Sequence, residues 1–398
     1  MILLKGNFSK LFSVLLIAQI INFCFALILP HYFSPTEFAT FGVYMSLLLI
    51  ATETINLKLD VAVQLPKNDV EAKQIYLHAI AIAFLFSLIW LLVSVILSIV
   101  YNKIYVTLFI VVLAYGIYQP LFYWLNRIKN YQFINIIRLI LAIVAPIAAL
   151  ILKYYFDFQN ALIIGFIIAQ LLVSIILILK FKLLKINQYN FKTLQQTLQA
   201  YKIFPMYSVP SSFINTLSKN IIIPLIQFLF GSVLAGSYTM ATRVLQAPVN
   251  MYNTAMGQIY YSEAAHKDTN ELKTYTKEVA LIGFVLALIP TIILLIFGKS
   301  IVVFIFGEQW INAGIITQYL ILWYALSIVV QPISFLLDIK KKLAVELKWN
   351  TSLLLCRVLA IAIGYYLQDF YVAIVLFVVV SILFNIYLLN YILKLSDE

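Results

Sequence analysis

The 398-residue sequence predicts an all-α integral membrane protein of about twelve transmembrane helices, arranged as two parallel six-helix bundles around a central cavity. Three observations carry that expectation. Hydrophobic residues make up 64% of the chain and charged residues only 11%, where soluble domains carry about a quarter charged. Mean hydropathy is correspondingly high, at +1.00. Lys and Arg concentrate in alternate gaps between apolar runs, and short signatures recur in the two halves of the chain.

Runs long enough to cross about 30 Å of hydrocarbon fall at 11–29, 38–58, 74–99, 104–125, 134–152 and 160–180 in the first half. The second half places them at 205–229, 234–257, 278–297, 312–337, 349–367 and 370–393. The first run lacks a small-residue cleavage site after it, which predicts a retained helix rather than a signal peptide. One set of gaps holds most of the basic residues, including Lys58, Lys67, Arg127, Lys129, Lys180, Lys182, Lys267, Lys273 and Lys340 to Lys342; the other holds Lys103, Lys153 and Lys299. By the positive-inside rule both termini are expected in the cytoplasm. The net charge of +11 is therefore read as membrane orientation, and nucleic acid is not expected as a partner.

The expected division is a first bundle over 1–180, a linker over 181–204 and a second bundle over 205–398. The linker is basic and amphipathic, with Leu183, Leu184, Ile186, Phe191, Leu194, Leu198 and Tyr201 among Lys and Gln, and predicts a helix on the cytoplasmic surface. Outward connections are all short, the longest running from Gly298 to Ile311, so none is expected to house a catalytic domain. Gly42-Val43-Tyr44 and Gly236-Ser237-Tyr238 open equivalent helices, and Gln119-Pro120 parallels Gln331-Pro332. This is the pattern of a parallel internal repeat.

Polar stripes break the apolar helices where a transport path would need them. Ser208, Ser212, Asn215 and Lys219 share one helical face, and Thr239, Arg243, Gln246, Asn250 and Asn253 share another. Further stripes hold Ser46, Glu53, Asn56 and Asp60; Tyr115, Gln119 and Asn126; and Ser327, Gln331, Ser334 and Asp338. Lys219 and Arg243 lie roughly 15 Å and 10 Å from the outer membrane face at helical rise. Cations at that depth cost several kcal/mol unless they face protein or water, which predicts a cavity that receives an anion. The competing reading pairs each cation with a carbonyl or carboxylate for helix packing. Arg138 is read as four residues into its helix and near the cytoplasmic face, Arg357 as ambiguous. Glu53 and Asp60 are candidates for binding a coupling H⁺ or Na⁺, or for pairing with Arg138 or Arg357. Cys24, Cys356, His31, His78 and His266 form no metal-ligand spacing, so neither metal nor cofactor is expected.

Phe38-Ala-Thr-Phe-Gly42-Val-Tyr44, Leu57-Lys-Leu-Asp60 with Pro66 and Glu71-Ala72, and Phe306-Gly307-Glu308-Gln-Trp310-Ile-Asn-Ala313-Gly314 together resemble the bacterial polysaccharide flippases. These are the O-antigen (Wzx-type) members of the multidrug, oligosaccharidyl-lipid and polysaccharide exporter superfamily. The resemblance implies a transporter rather than an enzyme, in the bacterial inner membrane. Its substrate would be an undecaprenyl-diphosphate-linked oligosaccharide, moved by alternating access from the cytoplasmic to the periplasmic leaflet. Lys219 and Arg243 would then meet the diphosphate, with Asn215, Gln246, Asn250, Asn253, Gln119, Gln331 and Asn56 meeting sugar hydroxyls. Membrane lipid and other polysaccharide-assembly proteins are the implied partners. An ion-coupled exporter of cationic drugs would instead want acids at the deepest positions. A polysaccharide polymerase or ligase would want a large outward loop.

Overall fold

The computed structural model describes residues 7–100, 103–183, 191–264, 266–340 and 342–397. Among them the chain is helical throughout, as its composition requires. The first half runs through α1 (Asn7–Ile28), α2 (Pro35–Ile55), the short α3 (Leu59–Ala62), α4 (Asp69–Val100), α5 (Leu108–Arg127), α6 (Tyr131–Phe156) and α7 (Ala161–Phe181). Then come α8 (Phe191–Ala200), α9 (Val209–Asn220), α10 (Ile222–Phe230), α11 (Ser232–Ala264), α12 (Thr269–Phe306), α13 (Ile311–Ser334), α14 (Leu336–Ile339), α15 (Leu343–Tyr366) and α16 (Phe370–Leu395).

Nine helices among the described residues are long and apolar enough to span a bilayer, and α9 with α10 makes a tenth that is bent by 43°. α1 and α11 lie at the other two expected runs but are not among these; α11 is long enough but carries the polar stripe. α12 exposes Leu281, Phe284, Val285, Ile289 and Phe304, a surface that water would not tolerate and lipid does. The chain is an all-α integral membrane protein.

Helix ends follow local chemistry. Ser34 and Glu37 form a reciprocal capping box at α2, with Ser34 N donating to Glu37 Oε2 at 2.8 Å and Glu37 N to Ser34 Oγ at 3.4 Å. Asp268 accepts from Glu271 N at 2.8 Å to start α12, and Asp369 accepts from Tyr371 N at 2.8 Å to start α16. Gly307, at φ 94°, ends α12. Because α12 continues to Phe306, the long outward connection expected from Gly298 to Ile311 shrinks to one turn, Glu308–Trp310. Counting only apolar residues understates helices whose polar ends continue beyond the hydrocarbon.

The chain packs as two compact units, one of residues 1–25 with 43–220 and the other of 26–42 with 221–398. In the first, Leu59, Ile75, Leu121, Leu125, Ile134, Val173 and Leu177 form the core. α8 belongs to it: Leu194 is buried, and Leu198 and Tyr201 pack beside it. His78 of α4 meets Thr197 Oγ1 at 2.9 Å and Thr193 Oγ1 at 3.2 Å, and Tyr201 donates to Glu71 at 2.9 Å. Leu194, Leu198 and Tyr201 are thus covered by protein. Leu184 and Ile186 lie outside the described residues.

In the second unit, Tyr238, Leu245, Ile316, Leu320, Ile361 and Phe377 form one core and Tyr260, Leu272, Val330, Ile333, Leu337 and Leu388 another. The start of α2 crosses α11 here. A Cβ on Gly236 would lie 1.6 Å from Pro35 O, and one on Gly42 would lie 2.3 Å from Thr239 Oγ1. The two glycines that open the repeated signatures are the positions at which those repeated helices touch.

Candidate functional site

α11 positions the second unit's polar stripe. At its apolar start Thr239 turns its hydroxyl back onto Ala235 O at 2.8 Å, and one turn later Arg243 emerges half-buried. Its Cζ lies 4.9 Å from the Phe41 ring centroid and 5.7 Å from that of Phe38, a cation–π seat. Nη1 is buried with no hydrogen-bond partner among the described residues. No carboxylate among them forms an ion pair with Arg243. Further along, Gln246 and Asn250 are exposed, while Asn253 is buried and donates from Nδ2 to Gln331 Oε1 at 2.8 Å. Gln331 itself is exposed on α13. One continuous polar edge, from Arg243 through Asn253 to Gln331, therefore runs along this unit.

Phe38 is fixed from behind. Trp310 is fully buried, meets Phe38 edge-to-face at 5.0 Å and 82°, and donates from Nε1 to Pro30 O at 2.9 Å. Gln309 Nε2 reaches the same carbonyl at 3.1 Å. The Gly307-Glu308-Gln309-Trp310 motif is thus structural: it pins the turn before α2 and supports the ring under Arg243.

The first unit holds the acidic stripe in a strained turn. Leu57 and Lys58, at φ 49° and 59°, are consecutive non-glycine residues in the left-handed region, which costs of order 1–3 kcal/mol each. This turn lets Lys58 Nζ fold back onto Glu53 Oε2 at 2.5 Å. Thr216 of α9 donates to Glu53 Oε1 at 2.9 Å. Among the described residues of this unit Glu53 pairs with the local Lys58 and not with Arg138. Asn56 is 1% exposed, and its amide donates to Ala79 O at 3.0 Å and Gly116 O at 2.9 Å. It is committed to helix packing here, with no donor left for a sugar. A one-face pattern does not distinguish a stripe facing a cavity from one facing two neighbouring helices.

Asp60 sits in α3, outside the spanning helices, and is 5% exposed. Burial raises its pKa, against the opposing pull of Lys58. Since the folded carboxyl holds its proton above the pH at which the unfolded one releases it, stability falls as pH rises from about 4 through the raised value. Asp60→Asn is expected to raise the thermal midpoint at neutral pH and to flatten that pH dependence; an unchanged profile would show that Asp60 is ionised in the fold.

Gln119 is half-buried on α5 and Asn215 half-buried on α9, with Asn215 Oδ1 buried and unpartnered among the described residues. Lys219 is exposed in the last turn of α9. Arg138 differs from expectation. α6 begins at Tyr131, which puts Arg138 about 10 Å into the helix at its rise per residue. Its Cζ is 5.3 Å from the Phe122 ring, and its Nη1 is buried without a partner among the described residues. The first unit therefore also carries a half-buried arginine seated on an aromatic ring. Arg357, ambiguous in sequence, is 4% exposed within the second unit.

No curated protein matches the sequence. Among solved structures, the chain is similar to the lipid II flippase MurJ in an inward closed conformation, at TM-score 0.79 and 14% identity over 98% of this chain and 90% of that one. It is also similar to an inward-facing multidrug resistance MATE transporter of the MOP superfamily, at TM-score 0.73 and 10% identity over 95% and 94%. A MOP superfamily transporter from Pyrococcus furiosus, described as having a binding pocket of reversed polarity, matches at TM-score 0.57 and 10% identity over 98% and 94%. At such identities the likeness is one of fold. The family profile described as polysaccharide biosynthesis protein matches residues 28–314, which is most of the chain and includes Glu53, Lys219, Arg243 and the Trp310 clamp. The chain belongs to the polysaccharide biosynthesis protein family.

Proposed function

We propose that this protein is a flippase that carries an undecaprenyl-diphosphate-linked oligosaccharide, an O-antigen or capsule repeat unit, from the cytoplasmic to the periplasmic leaflet by alternating access between two six-helix bundles. The observation that carries the reading is Arg243, whose buried Nη1 has no partner among the described residues and whose plane is supported by Phe38 and Phe41. A guanidinium seated in this way offers paired N–H donors to phosphate oxygens. A diphosphate with attached sugars cannot shed its water cheaply in hydrocarbon, so a protein path that replaces that water is what the substrate needs. Lys219 is proposed as a second phosphate-recognising cation. Gln246, Asn250 and Gln331 supply exposed amides of the kind that bind sugar hydroxyls, with Asn253, Asn215 and Gln119 in support. Asn56 leaves this set, because its donors are used. Between the carboxylates, Asp60 is assigned to proton coupling, since burial favours its protonated form; Glu53 is neutralised by Lys58.

The purified protein is expected to bind a polyprenyl-diphosphate oligosaccharide in preference to a lipophilic cation such as ethidium. A reversed preference would transfer it to the cationic-drug exporters. For orientation, single cysteines replacing Pro35, Asp157 or Glu308 in a variant lacking Cys24 and Cys356 are expected to react with an impermeant maleimide from outside. Those replacing Asp69, Asn190 or Asp268 are not; the opposite pattern would invert the proposed topology and its cytoplasmic termini.

A further inference from the structure

Arg357 is the other arginine of the second unit, and the proposed flippase function does not use it. It lies nine residues before the end of α15 at Tyr366, about 14 Å along the helix at its rise per residue, and is 4% exposed. Its Nε donates to Ser381 Oγ at 3.0 Å. Its Cζ lies 4.6 Å from the Trp323 ring centroid and 4.8 Å from that of Phe377. Those two rings meet at 5.5 Å and 89°, so the guanidinium occupies the corner between a floor and a wall. Among the described residues no carboxylate lies within 4 Å of it, and its Nη donors make no hydrogen bond.

Two aromatic contacts do not offset the desolvation of a full positive charge in a helix bundle. The neighbouring polar groups are neutral. The Tyr324 ring packs on Trp323 at 4.7 Å and the Tyr238 ring on Phe377 at 6.3 Å, so both phenols adjoin the rings that seat the guanidinium, and both tyrosines are buried at 4% exposure. Asn385 is turned onto Ser381 O at 2.7 Å. The corner thus brings together one fixed cation with N–H donors to spare and two adjoining phenols, with no carboxylate among the described residues. We propose that Arg357, with Tyr238 and Tyr324, forms a binding site for a small inorganic monoanion of the halide class inside the second unit. One buried positive charge is balanced by one negative charge; a diphosphate would leave an excess of negative charge buried in the same place. The argument does not rest on the lipid-diphosphate reading at Arg243, although the Tyr324 hydroxyl lies beside Gln246.

The test uses the purified full-length protein. Its thermal unfolding midpoint is expected to rise saturably by a few degrees with chloride or bromide, relative to gluconate at equal ionic strength. Arg357→Gln is expected to abolish that rise and Arg357→Lys to retain part of it. Since Arg357→Gln can fail to fold, a second measurement uses the unsubstituted site: iodide is expected to quench Trp323 fluorescence with a saturable component, competed by chloride and missing in Trp323→Phe. Quenching that stays linear in iodide, or equal midpoints in chloride and gluconate, would overturn the proposal. Inorganic pyrophosphate stabilising the protein in preference to chloride, with the effect lost in Arg357→Gln, would overturn the assignment to a monoanion.

Discussion

Arg243→Ala is expected to abolish surface glycan display in the native host without lowering the amount of protein in the membrane. The two halves of that expectation have different physical sources. What the fold loses is small: Arg243 gives up a cation–π seat over Phe41 and Phe38, on the order of 0.5–2 kcal/mol, and Nη1 has no partner among the described residues to leave stranded. What the substrate loses is larger, since charge-assisted hydrogen bonds contribute about 1.5–3 kcal/mol each, and a bidentate contact has two. Arg243→Lys keeps the charge but not the fork, and is expected to lower glycan display about tenfold, the equivalent of one such bond. Lys219→Ala is expected to act in the same direction. Glycan staining against immunoblotted protein is the measurement. Normal display in both alanine variants would remove the phosphate role of these cations.

The fold class was legible because hydrocarbon demands long apolar runs, and every expected run corresponds to a helix or a broken pair of helices. Helix ends were less legible. α11 and α12 extend well past their apolar stretches, and α6 begins about one turn before its apolar run. Spacing placed Arg243, Gln246, Asn250 and Asn253 on one face, and the structure puts them along one polar edge. The same logic misread Asn56, because periodicity reports a face and not what lies opposite it. Lys58 was invisible as a partner for Glu53, since their ion pair depends on two residues in left-handed backbone that no sequence pattern announces. Trp310 was visible as a motif, but its job of anchoring Phe38 and Pro30 joins residues almost 300 positions apart in the chain.

Gly236→Val is expected to remove the protein from the membrane. At this crossing a Cβ would sit 1.6 Å from Pro35 O and 3.1 Å from Ala39 N, so the obstacle is backbone and cannot rotate away. Pro35 is the first residue of α2, and the Ser34–Glu37 capping box holds that turn. Pro30, five residues earlier, is held by Trp310 and Gln309. Relief would require moving α2 away from α11, and with it Phe38 and Phe41, the rings under Arg243. Overpacking by a methylene typically costs about 1–3 kcal/mol when side chains can yield; here none can, and the cost is expected to exceed that range. Gly236→Ala tests the geometry more finely. Any protein that survives should show a lowered thermal midpoint and, because the Arg243 seat shifts, weaker binding of the diphosphate lipid than its stability alone explains. Val233→Ala, one turn earlier on the exposed face of α11, is expected to change neither property. Wild-type abundance and binding in Gly236→Val would mean that α2 and α11 do not make this close crossing in the membrane.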